Sequence, residues 1–141
     1  MPGDKPYRIF NHTADLGLVI TGRSLPELFA HAAEALSGLI TKIEKVEPAT
    51  ARRLDVEGVD LANLWINFLR EILSLFTVNE FLVRSCKIVH MDGHTLSAEL
   101  LGEKFDAPRH IVKTEIKAVT YHQATVQQVQ GGWEGKVVFD V

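Results

Sequence analysis

Cysteine is nearly absent: Cys86 is the only one in 141 residues. That excludes an internal disulfide framework and a cysteine-rich zinc site, and it fits a reducing compartment. Cys86 itself lies in an apolar-alternating run and reads as packing. No apolar run approaches the roughly 20 residues a membrane-crossing helix needs. The opening Met1-Pro2-Gly3-Asp4-Lys5-Pro6 also lacks the basic start and apolar stretch of a signal peptide. The expectation is a cytoplasmic protein with no membrane partner. Basic charge is in no surplus either, with 15 Lys and Arg against 18 Asp and Glu, a formal charge of -3 and a pI of about 6.0. Independent nucleic-acid binders neutralise phosphates with excess Lys and Arg, so strong independent nucleic-acid binding is not expected. The pairs Arg52-Arg53 and Arg109-His110 are sparse and are not interleaved with aromatics as a stacking platform requires. There is no internal repeat and no low-complexity segment.

What is present is the balance of a folded globular chain, 46% hydrophobic and 23% charged, at the length of one domain spanning residues 1–141. Residues 7–10 and 16–20 read as two strands separated by the polar corner 11–15. Ser24-Leu25-Pro26-Glu27 is a capping box, opening a helix whose Leu25, Leu28, Phe29, Ala32, Ala33, Leu36 and Ile40 share one face. Glu27, His31 and Glu34 fall on its solvent side. Residues 52–58 form a short strand, and Asp60 caps a second helix with an apolar stripe running from Leu61 through Trp65, Phe68 and Leu69 to Phe76. That stripe is the core anchor. Strands at 81–91 and 94–101 flank Asp92-Gly93, a two-residue hairpin turn. Such a turn sends His90 and His94 to opposite faces, so no zinc site is expected there. Residues 102–110 read as a polar, exposed loop. The element order implies an α+β fold with two main helices packed on largely antiparallel β-sheet.

The segment 113–122 carries ionisable or hydroxyl groups on both faces of what reads as a strand, which marks a site or a wet edge. Gly131-Gly132 then turns the chain into a final strand, residues 133–141. The simplest register sets Gln130 opposite Trp133, His122 opposite Val141 and Gln123 opposite Asp140. Asp140 and the carboxylate of Val141 concentrate negative charge at that strand end. Adjacent carboxylates repel unless a cation or donors compensate, and oxygen clusters suit hard cations. Asp15 is a candidate third carboxylate if the first strands lie near the last.

Across these blocks the chain resembles the archease family. The resemblance is carried by His12-Thr13-Ala14-Asp15-Leu16-Gly17, by Ser24-Leu25-Pro26-Glu27-Leu28-Phe29, and by residues 61–73. It is carried most specifically by Gly102-Glu103-Lys104-Phe105-Asp106, by the stretch from Glu115 to His122, and by Phe139-Asp140-Val141. The resemblance implies a non-enzymatic accessory protein for a GTP-dependent RNA-splicing ligase of the RtcB type, promoting guanylylation of the ligase and multiple turnover. It also implies a chaperone-like role toward a tRNA methyltransferase. It implies a divalent cation, calcium or else magnesium, held by Asp15, Asp140 and Val141. Lys117 matches a family lysine tied to ligase activation, with His12 and His122 as site neighbours. Asn11 stands where many relatives carry an acidic residue, which keeps an oxygen but removes a charge. A metal-dependent hydrolase, with His12 or His122 as general base, is the alternative that the same carboxylates allow.

Overall fold

The computed structural model describes residues 5–12 and 15–141, with Asn11 and His12 described by their main chain alone. Helix α1 spans Leu25–Ile40 and starts where the cap places it: Ser24 is extended, and its hydroxyl accepts the Glu27 N–H at 3.2 Å. The reciprocal half of the capping box is replaced by another contact, because the Glu27 carboxylate lies beside Arg23 and His31, at 3.7 and 3.6 Å. His31 is half-buried rather than a surface residue, and its Nδ1–H donates to the Thr21 carbonyl at 2.7 Å. Helix α2 spans Leu61–Thr77, and Asp60 accepts the Asn63 N–H at 2.8 Å.

Among the described residues, seven strands form two antiparallel sheets. β1 (Tyr7–His12), β2 (Asp15–Gly22), β6 (Ala118–Val129) and β7 (Gly132–Asp140) make one, in the order β1-β2-β7-β6. β3 (Thr50–Glu57), β4 (Phe81–Met91) and β5 (Thr95–Lys104) make the other, in the order β3-β5-β4. The α+β class and the antiparallel pairing stand as expected, with the strands divided between two sheets. Both helices touch both sheets, and each helix closes a sheet edge. Along α1, Glu34 accepts the Cys86 N–H of edge strand β4 at 3.1 Å, and the Ser37 hydroxyl donates to the Val83 carbonyl. Glu34 therefore turns away from solvent, because an edge strand leaves main-chain groups that need partners. Along α2, Arg70 donates to the Val119 carbonyl of edge strand β6 at 3.2 and 3.3 Å.

One contiguous core fills the space between. Phe29 meets Trp65 edge-on with ring centroids 5.1 Å apart, and Phe68 lies 5.5 Å from Phe29. All three are fully buried, each such side chain contributing about 1.5–3 kcal/mol by leaving water. Trp65 also donates its Nε1–H to the Lys136 carbonyl at 3.1 Å. Its ring lies so close over β7 that a Cβ on Gly135 would sit 2.5 Å from it, which explains glycine there.

Both hairpins exist, but each turns at a different place from the simplest reading. The Asp92 carboxylate accepts the N–H groups of His94 and Thr95, both at 2.8 Å, and Asp92 N–H bonds the Thr95 carbonyl. The loop is therefore Gly93-His94, and Met91 pairs with Leu96 rather than His94. β5 runs on to Lys104, so residues 102–104 are strand rather than loop. In the last hairpin Val129 pairs with Gly132, the turn being Gln130-Gly131 with Gly131 at φ +84°. The segment 113–122 is strand only from Ala118, and the chain from 111 to 117 has no regular structure.

Candidate functional site

The site begins with β2 and β7. Leu16, Leu18 and Ile20 pack into the core, so Asp15 falls on the opposite face of its strand. Phe139 and Val141 do the same for β7, placing Asp140 on that outer face too. The register pairs Asp15 with Asp140 directly, and pairs His12 with Asp15 along the main chain. Directly opposed like charges are unfavourable in a sheet. Asp15 is half-buried and Asp140 exposed, and among the described residues neither carboxylate forms an ion pair. Two uncompensated hard oxygen donors side by side are the donor chemistry that calcium or magnesium takes. Among the described residues, no three His, Cys, Asp or Glu side chains converge on one point. The side chain of His12 and residues 13–14 lie outside the described residues.

Lys117 reaches this place through its main chain. Its N–H donates to the Asp140 carbonyl at 2.8 Å, and the next residue, Ala118, pairs with Asp140. Its side chain is exposed while its neighbour Ile116 is buried. Here the register differs from the simple count, which set Gln123 opposite Asp140 and His122 opposite Val141. Two shifts add: the turn at Gln130-Gly131 moves the register by two residues, and a bulge moves it by three more, residues 121–124 filling the interval that Val137 alone fills on β7. Gln123 takes φ +56° within it, and His122 is exposed there. The Thr120 hydroxyl stabilises the turn-out, donating to the Val138 carbonyl at 2.9 Å and accepting the His122 N–H at 3.2 Å. Beside the bulge, Arg70 lies over the Tyr121 ring at 5.0 Å and Asn63 donates to the Tyr121 hydroxyl.

Sequence reading missed a second charged group altogether. His110 is buried, and its Nδ1 accepts the Asp106 N–H at 2.8 Å. A main-chain N–H only donates, so the imidazole proton sits on Nε2, which bonds the Glu103 carboxylate at 3.0 Å. The same carboxylate accepts the Glu47 N–H at 2.7 Å and pairs with Arg109, which also bonds Asp106 at 3.0 Å. The Arg109 hydrogen bond, with those from Glu47 and His110, holds Glu103 down at about 2, against its ordinary value of 4.5. Arg109 is correspondingly raised, first by Glu103 and then by Asp106. The expected polar loop therefore contains a buried histidine. The signal was the spacing of one carboxylate with a basic pair six and seven residues later. Cys86 behaves as packing, its thiol pushed up to about 12 by burial and then by Glu34.

The whole architecture has counterparts. A solution structure from Methanobacterium thermoautotrophicum, protein 1598, superposes with a TM-score of 0.80 at 29% identity, covering 98% of this chain and 100% of that one. The crystal structure of an archease from Thermotoga maritima, described as a possible chaperone, gives a TM-score of 0.66 over 95% of this chain and 96% of its own. At 21% identity that second likeness speaks for the fold alone. Both are small α+β domains of one type. Residues 7–141 match the Archease protein family (MTH1598/TM1083). Protein archease of Pyrococcus abyssi is 37% identical, covering 97% of this chain and 99% of its own, and that of Methanosarcina barkeri is 34% identical, with 97% of each covered. The chain belongs to the archease family. No described helix is long and apolar enough to cross a membrane.

Proposed function

We propose that this chain is a cytoplasmic, non-enzymatic activator of a GTP-dependent RNA-splicing ligase, promoting guanylylation of the ligase and repeated turnover. Asp15, Asp140 and Val141 hold a divalent cation, calcium in preference to magnesium, and Lys117 engages the ligase beside it. One observation carries the reading: the directly paired, uncompensated carboxylates of Asp15 and Asp140, with Lys117 bonded to the Asp140 main chain. A bound cation removes the repulsion that the pairing creates.

Asp140 is exposed at the end of its strand, with Asp15 half-buried beside it. A cavity of about 500 Å³ is elsewhere, between β3, β5 and α2, lined by Glu57, Arg70 and Ser97 among others. An exposed charged strand end suits docking against a partner, whereas a hydrolase encloses its substrate. The acidic balance fits a protein that leaves RNA contact to the ligase. The second reading that the family resemblance implies is a chaperone-like role toward a tRNA methyltransferase.

Multiple-turnover ligation with the cognate ligase tests the proposal. Stimulation by this protein, lost in Asp140→Ala and Lys117→Ala, is the expected result. No stimulation by the unmodified chain overturns it. Phosphodiester turnover by this protein alone, lost in Asp140→Ala, turns the reading to a hydrolase. Protection of the methyltransferase from aggregation, indifferent to Asp15→Ala, turns it to a chaperone.

A further inference from the structure

We propose that His110 is a positioning residue for the candidate site: with Glu103 it forms a lock that sets the course of segment 110–117 and so delivers Lys117 to Asp140. This purpose rests on the functional reading above, although the lock itself stands on geometry. The segment makes no helix or ladder bonds of its own, so a few contacts decide where it runs. At its start His110 is clamped from both ring nitrogens, by Asp106 N–H and the Glu103 carboxylate. Phe105 packs against the ring, with centroids 5.9 Å apart. Next, the Thr41 hydroxyl donates to the Ile111 carbonyl at 2.7 Å. Lys113 then binds the end of α1 twice, through its N–H to the Ile40 carbonyl at 2.7 Å and through Nζ to the Gly38 carbonyl at 2.8 Å. Ile116 is buried, and Lys117 N–H completes the path at Asp140.

The clamp is directional in a way that packing alone is not. A main-chain N–H must meet an unprotonated Nδ1, and the Glu103 carboxylate requires a donor at Nε2. Only the Nε2–H tautomer meets both demands. Glu103 in turn is braced by Arg109 and by the Glu47 N–H, which ties the lock to the chain leaving α1. Asp15 and Asp140 sit on strands β2 and β7, outside this segment. The lock therefore acts on Lys117 and leaves the carboxylate pair in place.

Three variants test it: Glu103→Gln, His110→Phe, which keeps the ring volume and loses both bonds, and Arg109→Gln, a milder change at a half-exposed side chain. Amide hydrogen exchange at Lys113 and Lys117 is the direct readout. We expect it to rise about tenfold in the first two variants and less in the third, with the Phe139 amide of β7 rising less than that of Lys117. Calcium titration is expected to give an affinity within about twofold of the unmodified protein, while ligase stimulation falls. Unchanged exchange at Lys117, or an equal rise at Phe139, overturns the proposal. A measurement that needs no variant is the nitrogen NMR signature of His110, where the Nε2–H tautomer is expected and the Nδ1–H tautomer contradicts the lock. Absence of calcium binding and of stimulation in the unmodified chain defeats the functional reading, while the exchange and tautomer results still judge the lock.

Discussion

Two charged groups in this molecule solve opposite problems. Around Glu103, every charge has a counterpart: Arg109 and the Glu47 N–H meet the carboxylate, and the buried His110 is bonded at both nitrogens. At Asp15 and Asp140, two carboxylates face each other across a strand pair with no ion pair among the described residues. The first arrangement is how a protein makes a buried polar group tolerable. The second costs stability as it stands, and a sheet keeps such a pair when something else supplies the positive charge. On the proposed function, the contrast separates the part of the chemistry that holds the fold from the part that meets another species.

Substitutions at each group sharpen the contrast. The largest expected effect is on the proposed function: Asp140→Ala is expected to abolish stimulation of the ligase in multiple-turnover assays while thermal unfolding without added metal stays near that of the unmodified protein. Next comes the compensated group. Glu103→Ala leaves the buried His110 Nε2–H without an acceptor and lowers unfolding free energy by about 1–3 kcal/mol, measured by denaturant titration. The acid arm of stability follows from the same residue. Its carboxyl is held at about 2 in the folded chain, below the ordinary 4.5, so its contribution is complete above that ordinary value and is lost as pH falls toward 2. Glu103→Gln flattens that part of the stability–pH curve. The smallest effect belongs to the uncompensated pair, where Asp15→Asn without metal leaves stability unchanged or raises it by about 0.2–1 kcal/mol through relief of like charge.

Much of this was legible from the residues alone. Ser24 and Asp60 each mark a helix start, and the stripe through Trp65 and Phe68 marks the core. The pairing of the first strands with the last, which brings Asp15 to Asp140, follows from tertiary arrangement, which residue spacing does not carry. Register was the weak point. A bulge at 121–124 adds three residues to one strand without disturbing its composition, so alternation cannot reveal it. Likewise the Asp92 carboxylate moves the turn by capping two N–H groups, a side-chain effect that the Asp-Gly pair does not announce. His110 was misplaced because a polar, glycine-marked stretch reads as solvated. Its burial depends on Glu103 and the Asp106 N–H closing around it.

The proposed function requires a cation at Asp15 and Asp140, and calorimetric titration of calcium into the metal-free protein tests it most directly. Saturable binding near one ion per chain, accompanied by a rise in Tm and lost in both Asp15→Asn and Asp140→Asn, is the predicted result. No binding, or binding that both substitutions leave intact, contradicts it.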